Sequence, residues 1–329
     1  MLLAAAAGGG CAVWLLSPPG GNGRVVVNIP RGRTALQIGR QLETAGVVRS
    51  GLVFTAWATL RGKAGDFKAG RYLLQRSWSA QQVAEILTRG GEPEDLVVTI
   101  PEGFTLKQIA ARLEARRAVP SAQAFVEMAS SSSPPVHAWF PVPKSGLEGY
   151  LYPDTYRIRP GTRPEAVLQM MVDQFDSEFA KPHRAEIEAS QHSLHEIVTI
   201  ASLIEREADT PDDRPMIAGV IENRLKRGMR LQIDATVLYA MGRHKERVLH
   251  ADLRTDSPYN TYRQAGLPPG PIASPGISCL EAALRPAKHR YLYYVMSEGR
   301  GHVFTTNEAD HNRAAARYRA SRRRPASGL

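Results

Sequence analysis

Two glutamates spaced i, i+2, Glu205 and Glu207, are the residues best suited to carry proton-transfer chemistry. They lie in Ala201-Ser202-Leu203-Ile204-Glu205-Arg206-Glu207, near the end of a stretch from His195 to Ala208 that reads as a strong helix. At about 100° per residue, Ile200, Ala201, Ile204 and Ala208 fall within ~60° of Ile197 and form one apolar stripe with it. Glu205 and Glu207 sit at about +80° and −80°, on opposite edges of that stripe, and Arg206 points away. A carboxyl half-buried beside an apolar stripe is a usable acid near neutral pH. Two carboxyls aimed apart are a poor pair for flanking one bond. Periodicity alone does not choose between them, and both are also consistent with surface glutamates pairing with Arg206 or Arg214.

Three further segments carry polar and aromatic residues in rigid surroundings. Gly146-Leu147-Glu148-Gly149-Tyr150-Leu151-Tyr152-Pro153-Asp154-Thr155-Tyr156 is the first. Asn223-Arg224-Leu225, with Met229-Arg230-Leu231-Gln232-Ile233-Asp234-Ala235-Thr236, is the second. Ser257-Pro258-Tyr259-Asn260-Thr261-Tyr262 continuing to Ile272 is the third. Proline, glycine and tyrosine crowd the first and last, a composition that suits loops stacking on sugar faces. His192 and His195 make an HxxH spacing, but no zincin pattern accompanies it, so no metal site is expected. Ser202 lacks the glycines of a nucleophile elbow.

The elements ahead of this region are duplicated. Residues 25–56 and 96–127 align at a constant offset of 71 without a gap, pairing Ile29 with Ile100, Gly32 with Gly103, Thr34 with Thr105, Leu42 with Leu113 and Phe54 with Phe125. Each copy opens with a β-branched run and breaks at Pro-x-Gly. A helix capped by Thr34 or Thr105 follows, then one capped by Ser50 or Ser121. In the first copy Arg71–Leu74 supplies a returning strand and Ser79 caps a further helix. Strand, Gly-x-Thr, two short helices and a returning strand resemble LysM, the small peptidoglycan-binding module. A duplicated spacer without a ligand is the alternative.

Composition bounds the remainder. The 329 residues carry 42 Lys and Arg against 32 Asp and Glu, a formal charge of +10. Hydrophobic residues at 43% and charged residues at 22% exclude wholesale disorder. Cys11 and Cys279 offer no disulfide framework or zinc site. The basic balance points to an anionic partner. No aromatic ladder or RNP-like motif accompanies it, so nucleic acid is not expected. Residues 1–16 (MLLAAAAGGGCAVWLL) are uncharged and read as a membrane anchor. They fall short of the ~17–20 residues a spanning helix needs, so a start further upstream is expected.

Residues 146–311 resemble the endolytic murein transglycosylase family, the YceG-like or MltG family, with several separated motifs in order. The resemblance implies an α+β fold: an N-terminal membrane helix, LysM-like βαα(β) modules and a mixed α/β YceG-like catalytic domain. The corresponding boundaries are 1–16 anchor, 17–24 linker, 25–92 LysM-like module, 93–137 second half-repeat and hinge, 138–312 catalytic domain and 313–329 basic tail. The family's catalytic glutamate falls on Glu205, with Glu207 in a supporting role. Gln232 and Asp234 fall in its L-Q-x-D-P-T segment, and Tyr259, Asn260 and Thr261 in S-P-Y-N-T-Y, all placed around the cleft. Ala235 replaces the proline of D-P-T, Ser274 an asparagine, and Cys279 a serine.

The implied reaction is non-hydrolytic cleavage of the MurNAc–GlcNAc β-1,4 bond of nascent peptidoglycan, leaving 1,6-anhydroMurNAc ends. It needs no metal or organic cofactor. The implied setting is the inner membrane, single-pass, with the catalytic domain extracytoplasmic and the cell-wall synthesis machinery nearby. The alternatives are a hydrolytic muramidase, with Asp234 activating water, and a non-catalytic wall-binding scaffold.

Overall fold

A computed structural model describes residues 14–323 apart from 22, 92–94, 243, 244, 246 and 247. Residues 1–13 of the expected anchor, Cys11 among them, and 324–329 of the basic tail lie outside the described residues. Among the described residues no helix is long and apolar enough to cross a membrane. The chain divides into two units, one to Asp95 and one from Leu96.

In the first unit, β1 (Arg24–Ile29) pairs antiparallel with β2 (Gly70–Gln75), Val27 opposite Tyr72. Between them lie α1 (Ala35–Thr44) and α2 (Gly51–Leu60); α3 (Ala80–Arg89) follows. Thr34, Ser50 and Ser79 cap these helices, each side chain accepting a backbone N–H of the first turn. Alternate residues of β1 turn inward, so Val27 and Ile29 join Ile38, Leu42, Phe54, Leu74, Val83 and Leu87 in the core. Helices α1 and α2 meet at two glycines. A Cβ on Gly51 would fall on the carbonyl of Gly39, and backbone there has nowhere to move. Gly51→Ala is therefore expected to destabilise this unit by about 2–3 kcal/mol. Faster amide exchange in β1 and β2, with the second unit's core amides unaffected, would report it.

The second unit is mixed α and β. Strand β3 (Leu96–Thr99) pairs antiparallel with β4 (Thr155–Ile158), and β5 (Tyr293–Met296) with β6 (His302–Thr305). Its helices are α4 (Leu106–Ala115), α5 (Ala122–Ala129), α6 (Pro164–Phe175), α7 (Arg184–Ala189), α8 (Leu194–Glu207), α9 (Asp213–Lys226), α10 (Asp234–Met241), α11 (Ile277–Leu284) and α12 (Glu308–Arg323). Helix α8 is the buried spine: every residue from Ile197 to Ile204 is buried, and α9, α10 and α11 pack on it.

The internal repeat is a repeat of hydrogen bonds as well as of sequence. Glu43 accepts from Gly51 N–H (3.0 Å) and Glu114 from Ala122 N–H (3.1 Å). Gln41 donates to Asn28 O and Arg112 to Thr99 O. Thr34 with Gln37, and Thr105 with Gln108, form the same reciprocal cap. The copies part company at the returning strand. The first is completed by β2, whereas β3 of the second pairs with β4, and so belongs to the second unit.

Candidate active site

Glu205 lies in the last turn of α8, which Ser193 starts with a reciprocal cap to Glu196. Its Oε2 accepts from Gly276 N–H at 3.0 Å, at the residue that begins α11. The Cys279 thiol, one turn into α11, is its second partner; burial keeps that thiol well above its ordinary range, so it remains a neutral donor. The loop from Pro101 to Thr105 closes the other side. Gly103 N–H donates to Ser274 O and Ser274 N–H to Phe104 O, both at 2.8 Å, clamping this loop to the one before α11. A Cβ placed on Gly103 would lie 3.7 Å from Glu205 Cγ and 3.6 Å from Arg206 Nη1. Glycine, at φ +74°, thus brings backbone against the acid.

Gly103 and Arg206 also line a cavity of about 670 Å³ with Thr105, Lys107, Glu148, Tyr239 and Ile272. Glu148 is its carboxylate wall. It accepts from Leu106 N–H (2.9 Å) at the start of α4 and from the Tyr239 hydroxyl (3.1 Å), and burial pushes its carboxyl up to about 7. Glu102 packs its carboxyl against Gly276, and burial followed by the nearby Glu205 charge raises it. Neither Glu148 nor Glu102 stands out by spacing. One signal for Glu102 was available: the duplicated Pro-x-Gly turn carries Arg31 in the first copy and an acid in the second.

The other expected site residues fall into two groups. Glu207 faces away from Glu205: the Tyr294 hydroxyl of β5 donates to it (3.0 Å), and burial pushes its carboxyl up to about 7. Asp234, the first residue of α10, accepts from the Tyr262 hydroxyl (2.6 Å), and its charge acts on Glu207. The Gln232 backbone sits at φ +54°, held by its N–H to Thr261 O (3.1 Å). Its side chain is the weakest acceptor of Arg224, a buried cation that also donates to Leu292 O (2.6 Å) and Leu231 O (2.8 Å). Tyr259 packs on Tyr239, ring centroids 4.9 Å apart. Asn260 and Thr261 are fully buried. Asn260 Nδ2 ties Leu253 O and Thr255 O together, while Thr261 Oγ1 accepts from Ile233 N–H and bonds Thr236. These two shape the loops that carry Gln232, Asp234 and Tyr259.

Three of the histidines are held by hydrogen bonds. His195 meets the Tyr150 hydroxyl and Pro269 O, His192 meets Glu222, and His302 meets Asp213.

The carboxyls raised by burial have a consequence for stability. Glu148 is proton-bound in the folded state up to about pH 7 but only up to about 4.5 when unfolded. Its contribution is therefore full below the unfolded value and is lost as pH rises through the folded one. Glu148→Gln is expected to flatten that decline by about 3 kcal/mol between pH 4.5 and 8, read from urea midpoints across the range.

A family model described as the YceG-like family matches residues 27–317. An endolytic murein transglycosylase of Bacillus subtilis (strain 168) is 37% identical over 310 residues, which cover 91% of this chain and 86% of that protein. One from Streptococcus pneumoniae serotype 2 (strain D39 / NCTC 7466) is 37% identical over 322 residues, 89% of this chain. This chain spans 58% of that protein's length. A 2.6 Å crystal structure of a putative yceG-like protein from Listeria monocytogenes superposes with a TM-score of 0.59 at 35% identity, covering 89% of this chain and 99% of that one.

Proposed function

The chain belongs to the YceG-like family, and on that premise we propose that it is an endolytic murein transglycosylase with Glu205 as its single acid and base. One observation carries the assignment. Glu205 is the carboxyl that meets the cavity wall at Gly103 and, among the described residues, accepts from a backbone N–H and a thiol, whereas Glu148 and Glu207 are each held by a tyrosine hydroxyl.

In this reading protonated Glu205 donates to the glycosidic oxygen of the MurNAc–GlcNAc β-1,4 bond as the bond from that oxygen to C1 breaks. The muramyl C6 hydroxyl then closes on C1, and its proton returns to Glu205. The nucleophile is part of the substrate, so positioning replaces the second carboxylate of ordinary glycosidases. The product is a 1,6-anhydroMurNAc end, and internal cleavage of nascent strands ends their elongation. Asp234, which a hydrolytic muramidase would use to activate water, is bonded to Tyr262 and its charge acts on Glu207.

The first unit serves here as a LysM-like module on the glycan. The uncharged residues 1–16 serve as an inner-membrane anchor that holds the catalytic unit on the extracytoplasmic side, beside the wall-synthesis machinery. The charge of +10 suits the carboxylates of peptidoglycan better than nucleic acid. Mass spectrometry of digested strands tests the reaction: anhydro ends, lighter than reducing ends by one water, are expected. Reducing ends alone would overturn the reading in favour of hydrolysis, and no cleavage in favour of a scaffold.

A further inference from the structure

The cavity beside Glu205 carries two cations that have no ion-paired acid among the described residues. Lys107 and Arg206 both line it, both are exposed, and neither forms an ion pair within 4.0 Å among the described residues. They come from different elements. Lys107 is in the first turn of α4, and its Nζ lies 4.0 Å from where a Cβ on Gly242 would stand. Arg206 is in the last turn of α8, and its Nη1 lies beside Gly103, on the spot that Glu205 Cγ also approaches. Among the described lining residues the carboxyl is Glu148, whose oxygens accept from Leu106 N–H and the Tyr239 hydroxyl, and on which the Lys107 charge acts only as the smallest influence. The rest of the lining is mixed: Thr105 and Gln108 offer polar groups, and Leu238, Met241 and Ile272 offer apolar contact. A volume of about 670 Å³ suits one or two sugar rings with a substituent.

From this arrangement we propose that the cavity is a carboxylate-binding subsite for the muramyl side of the substrate, with Lys107 and Arg206 as its cationic contacts. The inference rests on the transglycosylase reading and deepens it. Of the two alternating sugars of the strand, only the muramyl residue bears a lactyl group. In intact strands that group is amide-linked to a peptide stem whose own residues supply carboxylates; in stem-free strands the lactyl group itself ends in a carboxylate. Two separate cations at the edge of a partly apolar cavity recognise either form through charge-assisted hydrogen bonds. A carboxylate held there sets the register of the strand, so that the adjoining glycosidic oxygen reaches Glu205. Lys107 and Arg206 are then specificity-determining residues, because they select a muramyl unit over an N-acetylglucosaminyl one at this position.

The test compares four glycan substrates with the full-length protein: strands with intact stems, strands stripped of stems by an amidase, and each of these with its carboxylates converted to methylamides. For the wild type, amidation is expected to raise KM about tenfold with little change in kcat. In Lys107→Gln/Arg206→Gln the difference between carboxylated and amidated strands is expected to collapse, and Lys107→Arg is expected to retain most of it. Loss of discrimination on intact strands assigns the stem carboxylate; loss confined to stripped strands assigns the lactyl carboxylate. Equal KM for carboxylated and amidated strands in the wild type, or full discrimination kept by the double variant, would overturn the proposal. If the wild type makes anhydro ends and Glu205→Gln does not, such a result sinks the subsite alone; if the wild type makes no anhydro ends, the reaction assignment itself has failed.

Discussion

Glu205→Gln is expected to lower strand cleavage by about 10³-fold or more while leaving the fold and glycan binding intact. The loss is expected to be large because, in the proposed mechanism, one residue performs both proton transfers and no second carboxylate takes over either of them. The fold survives because the amide oxygen of glutamine still accepts from Gly276 N–H, now at 3.0 Å from Glu205 Oε2. Circular dichroism and a glycan-binding assay on the variant separate the two effects. Glu207→Gln is the control, since its carboxyl is bonded to Tyr294 on β5 and reports on packing. If Glu207→Gln were inactive and Glu205→Gln active, the acid would be Glu207 and the assignment would be wrong. Perturbed acidity alone would favour Glu148 or Glu207, whose carboxyls burial pushes up to about 7. Their tyrosine partners argue for structural work, and the position of Glu205 against Gly103 outweighs the rule that perturbed groups are catalytic.

Gly149→Ala is expected to cost the second unit about 3 kcal/mol or more and to abolish activity in proportion to unfolding. Two effects add. Gly149 sits at φ +84°, where an alanine is strained. A Cβ there would stand 2.5 Å from Pro271 Cβ and 3.0 Å from Val198 Cγ1, and neither a proline ring nor the spine helix can give way. Gly149 is also the neighbour of Glu148, so its loop sets where the cavity's carboxyl wall stands. A fall in thermal midpoint with a matching loss at assay temperature, recovered on cooling, is the expected signature. A folded but inactive variant would show that the residue acts on the site and carries little of the packing.

Much of the local structure was legible in the sequence because its causes are local. Thr34, Ser50, Ser79, Thr105 and Ser121 each cap a helix where their spacing from an apolar stripe requires one. The offset of 71 predicted paired elements, and the matching Glu43 and Glu114 contacts show why both copies keep an acid at the end of the first helix. The wheel placed Glu205 and Glu207 on opposite edges of α8. Their partners, the start of α11 for one and β5 for the other, lie on different walls.

Three things were beyond the sequence. Arg206 points away from the apolar stripe, which on the wheel alone reads as solvent; the cavity beside Gly103 becomes visible only once the Pro101–Thr105 loop is clamped to Ser274. The fate of the second copy depended on a strand 56 residues further on, since Thr99 pairs with Thr155 and no local signal chooses that partner. Asn260 and Thr261 stand in a motif that suggests cleft contacts, yet they are buried and bind backbone. Periodicity, caps and repeats follow from interactions within a few residues, so the sequence by itself determined the helices, the duplication and the edge of α8 that carries Glu205. Which side chains share a cavity depends on loops brought together across 70 residues and more, and only tertiary packing decided that Lys107, Glu148, Arg206 and Tyr239 line one cavity beside the acid.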